Sequence, residues 1–114
     1  MAFDPAQTPP PQPTTSVVFF ERGELNQLLG LYGRMVAAGH WRDYAIDALK
    51  DAAVFSIFRH TSEIPLYRIE KRPALVRRQS AWLVLAHGGL VLKRGHDLAQ
   101  VLRVLDRARF SVVD

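Results

Sequence analysis

With 114 residues, 48% of them hydrophobic and 23% charged, the chain has the size and balance of a single globular domain, which excludes a disordered polymer. Its longest apolar runs, such as Ala81–Ala86, fall far short of the roughly 18 residues a membrane span needs, and the lack of cysteine excludes disulfides, thiolate metal sites and cysteine nucleophiles. The net charge of +4 is the remaining global feature, and it is unevenly spread.

Five of the seven prolines lie in Met1–Pro13. Such a segment lacks backbone donors and apolar periodicity, so residues 1–16 are expected to form a disordered arm, partly polyproline II. It is either a ligand for a proline-binding groove or a solvated tail, and the tail is the favoured reading. No positively charged start is followed by an apolar stretch, so no secretory signal is read and the expected compartment is the cytoplasm.

A single domain is expected over residues 17–110, with 111–114 as a C-terminal tail. Val17-Val18-Phe19-Phe20, β-branched and aromatic, predicts a first strand. Leu25, Leu28, Leu29, Tyr32, Met35 and Val36 then recur at three- and four-residue steps, which predicts an amphipathic helix over 22–38 with Gly39 as its left-handed stop. Asn26, Gly30, Gly33 and Ala37 share the other side of that helix. Small residues there would admit another backbone, either a second subunit or, the favoured reading, the chain's own sheet.

Trp41–Leu49 fits both periods and is assigned to a strand because strands follow it. Ala53–Phe58 is rich in β-formers and Leu66–Lys71 alternates, with a hairpin loop at 61–65 and Pro73 ending the second strand. A loop carrying Arg77 and Arg78 leads to a hairpin of Ala81–Ala86 and Gly89–Lys93, turning at His87-Gly88. Asp97 then caps a last helix whose buried stripe is Leu98, Val101, Leu102 and Leu105, ending near Ala108. The expected fold is α+β: an antiparallel sheet of about five strands with two helices packed on one face.

No catalytic or metal-binding constellation emerges, so the chain is read as a non-enzyme without a cofactor. His40, His60, His87 and His96 lack ligand spacing. Asp43, Asp47 and Asp51 are evenly spaced, but spacing alone does not make an acid–base pair. Ser56 and Ser80 have no nucleophile-elbow context, and the glycines do not form a phosphate loop. Lys93-Arg94-Gly95-His96-Asp97 places cations before a helix N-terminus, a weak anion-site candidate.

The charge map is more informative. Eight basic residues against Glu63 and Glu70 lie between Arg59 and Arg94, so the whole surplus sits there. Arg68, Lys71, Arg72, Arg77, Arg78, Lys93 and Arg94 are therefore the candidate nucleic-acid or anion-binding residues, with Tyr67 and Trp82 as stacking partners if exposed. Alternation puts Arg68 and Lys71 on opposite sheet faces. The opposing reading is a protein-interaction or regulatory module, possible as a homodimer, that uses the Asn26/Gly30/Gly33/Ala37 helix face or a sheet edge. This second reading is favoured; neither involves a membrane.

Leu31–Gly39, Trp41–Asp47, Pro65–Pro73 and Gly89–Leu102, taken together, resemble the domain of unknown function 2794, a family of small alphaproteobacterial proteins. The resemblance spans about Val17 to Leu105. It implies a bacterial cytosolic protein and carries over no catalytic residue.

Overall fold

The computed structural model describes residues 17–60, 64–75 and 81–113, with side chains left undescribed at Leu75 and from Arg107 onward. The elements run α1 (Arg22–Ala37), β1 (Asp43–Ala48), β2 (Ala53–Phe58), β3 (Tyr67–Lys71), β4 (Trp82–Ala86), β5 (Val91–Gly95) and α2 (Leu98–Val113). The five strands form one sheet in chain order, and every neighbouring pair is antiparallel. The expected α+β architecture holds, and the ambiguous Trp41–Leu49 segment is a strand.

Alternation along the strands sorts the sheet into two faces. Ala53, Phe55 and Ile57 of β2, Ile69 of β3, and Trp82 and Val84 of β4 form one cluster with Leu28, Leu31 and Met35 of α1 and Leu98, Val101, Leu102 and Leu105 of α2. Both helices therefore lie on the same face, and their apolar stripes drive the packing. The opposite face carries Val54, Ser56, Glu70, Leu83 and Leu85, each less than a tenth exposed, with Arg68 and Arg94 in the same rows.

Val17–Phe20 is not a strand. Val18 N–H donates to Leu49 O at 2.8 Å, and one such bond does not make a ladder. The run serves instead as an apolar anchor: Phe20 is buried and stacks on Trp82 with ring centres 6.1 Å apart.

α1 ends as expected. His40 N–H donates to Met35 O and Gly39 N–H to Val36 O, both at 2.9 Å, with Gly39 at φ +84°. This is the paired closure that a left-handed glycine permits. Its buried stripe is Leu28, Leu31 and Met35, whereas Leu29 and Val36, expected on that stripe, are exposed.

The β4–β5 connection turns at Gly88 and Gly89, both at positive φ, and Ala86 N–H donates to Leu90 O. β5 thus begins at Val91 rather than Gly89. Leu92 is an extra residue in the register between Val84↔Lys93 and Leu85↔Val91, a bulge that packs Leu92 against the core.

Asp97 caps α2 through its carboxylate, which accepts from Ala99 N–H at 3.1 Å. α2 then runs to Val113, past the expected end near Ala108. The proline-rich arm, residues 61–63 of the 61–65 loop, and Arg77 and Arg78 lie outside the described residues.

Candidate functional site

Among the described residues β1 is an edge strand, with β2 on one side only. Leu49 N–H donates to Ala52 O, one step beyond the Ala48↔Ala53 pair. Hydrogen-bonded residues alternate in an antiparallel ladder, so Asp43, Ala45 and Asp47 turn their amides to β2. Tyr44, Ile46 and Ala48 turn theirs to the free edge. The Asp43 side chain agrees with this parity, since its Oδ1 accepts from Tyr44 N–H at 2.8 Å.

Of these residues, Tyr44 stands beside α1. Tyr44 stacks on Phe55 at 5.2 Å and meets the Tyr32 ring edge-on at 4.7 Å. Leu29, Tyr32 and Val36 follow one another along that side of α1 at i, i+3 and i+7. Tyr44 is 38% exposed, Ile46 44%, Leu29 37% and Val36 40%, so an apolar surface borders an open sheet edge. Burial, then the Asp43 carboxylate, then Tyr44 hold the Tyr32 phenol above its usual ionisation range. Folding that favours the neutral phenol contributes stability below pH 10 that declines as pH climbs further. Asp43→Asn is expected to shift ionisation of Tyr32 back towards lower pH, read from its ring signals by NMR.

The basic residues divide. Arg68 and Arg72 stand on either side of the buried Glu70: Arg72 Nε donates to Glu70 Oε1 at 2.8 Å, and Arg68 Nε lies 3.9 Å from Oε2. Arg94, opposite Leu83 on β5, shares their sheet face. Lys93 is exposed opposite Val84, in the other row. Lys71 faces the helices, as alternation predicts, and is not presented to a ligand. Its Nζ donates to Glu24 Oε1 at 2.8 Å and to Phe19 O at 3.0 Å, with 14% of the side chain exposed.

Trp82 and Tyr67 belong to the helix-side core, Tyr67 with its ring centre 6.2 Å from that of Trp41. They are therefore not part of the arginine face. At the start of α2 the Asp97 carboxylate accepts from the Ala99 amide, one of the donors that an anion at this helix end would use.

Asn26, Gly30, Gly33 and Ala37 are all exposed, so the small-residue side of α1 does not pack on the sheet. Asn26 and Gly30 border a cleft of about 220 Å³ whose far wall is Ala99, Leu102 and Asp106 of α2. Arg34 and Asp106 approach to 3.7 Å across it. A side chain at Gly33 would meet nothing within 4 Å.

A second concavity, of about 370 Å³, was not legible in the sequence. Gly39, His40, Trp41 and Arg42 line it from the α1–β1 connection, and Arg59 and His60 from the end of β2. Arg42 lies outside the Arg59–Arg94 stretch, in a segment whose acids outnumber its bases, so the charge map gave it no weight.

Among the described residues, no helix is long and apolar enough to cross a membrane. Comparison with curated proteins and with solved structures gives no match. A family profile described as "Protein of unknown function (DUF2794)" matches residues 18–102, from just before α1 into α2, and the chain belongs to that family.

Proposed function

We propose that this domain is a protein-interaction module that binds a partner, or a second copy of itself, at the β1 edge. The observation that carries this reading is the juxtaposition of outward-turned backbone groups at Tyr44, Ile46 and Ala48 with the exposed side chains of Tyr44, Ile46, Leu29 and Val36. An added strand satisfies the first and covers the second, which is the physics of β-augmentation. The Asp43–Tyr44 contact blunts one edge donor and leaves the Ile46 and Ala48 amides for an incoming chain. A cytoplasmic setting and action without catalysis are part of the same proposal.

Ile46→Lys tests it. Ile46 is nearly half exposed, so the change is expected to alter stability by no more than about 0.5 kcal/mol. A partner retained from nuclease-treated lysate by the wild-type chain is expected to be lost with Ile46→Lys. Light scattering over a concentration series shows whether that partner is the chain itself. Equal retention by both proteins at equal melting temperature would remove the β1 edge from consideration.

Nucleic-acid binding is a second reading, favoured by the convergence of Arg68, Arg72 and Arg94 on one sheet face. Against it, Glu70 neutralises part of that charge and the nearby aromatics lie in the core. Binding to mixed DNA and RNA at two salt concentrations decides it, since phosphate contacts weaken steeply with salt.

A further inference from the structure

We propose that the cleft between the α1–β1 connection and the end of β2 binds a small phosphate-bearing ligand, gripped by Arg42 and Arg59. Asp43↔Phe58 is the last pair of the β1–β2 ladder, and Arg42 and Arg59 are the next residue on each chain. Arg42 N–H donates to Phe58 O at 2.8 Å, which ties the two chains together at this point. Two guanidiniums are thereby brought to the same end of neighbouring antiparallel strands, an arrangement that costs stability when nothing lies between them.

His40 and His60 complete the walls, and no carboxylate among the described residues lines the cleft. Among the described residues neither Arg42 nor Arg59 has an ion-pair partner, whereas Arg34, Arg68, Lys71 and Arg72 each have one. The backbone has little to offer an anion here, because the amides of Gly39, His40, Trp41 and Arg42 are all spent on carbonyls. The side chains must do the binding. Paired guanidiniums match the geometry and charge of a phosphate group, which accepts two parallel N–H bonds from each fork. The volume of about 370 Å³ admits a phosphate with a few further atoms and is at the small end for ligand pockets.

The test is an NMR and calorimetric titration of the full chain, at constant ionic strength, with orthophosphate and with glycerol 3-phosphate. Glycerol serves as the uncharged control. Expected are shifts in the amides of Arg42 and Arg59 and the Trp41 indole, with a dissociation constant of about 1 mM or tighter. Arg42→Gln and Arg59→Gln are each expected to weaken binding by about tenfold or more, and the double variant to abolish it. Arg22→Gln, at the exposed first residue of α1, leaves it unchanged. Phosphate should also raise the melting temperature of the wild type and not of the double variant.

Tighter binding of glycerol 3-phosphate than of orthophosphate identifies a monoester as the ligand, and the reverse identifies free phosphate. Absence of shifts with both probes, or affinity unchanged in the double variant, overturns the proposal. So does an oligonucleotide that depends on Arg42 and Arg59 while the small probes leave the protein unmoved.

Discussion

Phe55→Ala is expected to destabilise the fold by about 3–5 kcal/mol, the range for truncating a fully buried aromatic. Phe55 has no exposed surface and sits mid-strand in β2, paired to Ile46 of β1 and Ile69 of β3. Its ring is stacked on Tyr44 and lies 6.4 Å from the Tyr32 ring, edge-on. With strands on both sides and helices above, the site has little room to collapse, so most of the removed volume persists as a cavity. Domains of this size hold only about 5–15 kcal/mol, so the loss removes a large fraction of the total. Urea unfolding followed by tryptophan fluorescence measures it. A cost below about 1.5 kcal/mol would mean that the core closes over the gap and is less well packed than it looks. The substitution also withdraws the support beneath Tyr44, and binding at the β1 edge is expected to weaken with it. Phe19→Ala is the control: Phe19 is 65% exposed, and its loss should be nearly neutral.

The order of elements was legible because periodicity reports burial, and both helices lay their apolar stripes on one face of a single sheet. Leu98, Val101, Leu102 and Leu105 were read correctly as the inner stripe of α2, and Gly39 and Asp97 as helix boundaries, since each depends on local chemistry. Val17–Phe20 misled because β-propensity describes what suits a strand, and pairing decides whether there is one. Leu29 and Val36 misled in a more useful way. Their spacing fits the apolar stripe of α1, yet β1 ends the sheet beneath them and leaves them exposed. A surface that looks like core in the sequence is thus what flanks the open edge. The Arg42–Arg59 cleft was illegible for a different reason. Its two cations are 17 residues apart in sequence, and only the β1–β2 register brings them to one end of the sheet.

Lys71→Met is expected to cost about 2–3 kcal/mol, the penalty for stranding a part-buried charge and a carbonyl. In the sequence Lys71 belongs to the basic stretch of candidate nucleic-acid contacts. In the fold its ammonium ties the end of β3 to the first turn of α1, where Glu24 also accepts from Glu21 N–H at 2.7 Å. The Glu24 side chain is one-fifth exposed, so water offsets part of the loss and the estimate sits below that for a fully buried pair. Adding Glu24→Gln removes the stranded carboxylate, so the double variant should recover part of the lost stability. The coupling measured by that cycle separates the ion pair from the packing of the lysine stem. The two possible roles of Lys71 part here. A structural tie lowers the unfolding midpoint and leaves oligonucleotide affinity where it was, relative to the folded fraction. A phosphate contact would do the opposite, lowering affinity and its salt dependence at unchanged stability. The geometry favours the first outcome, which would take Lys71 out of any nucleic-acid surface and leave Arg68, Arg72 and Arg94 together on the opposite sheet face.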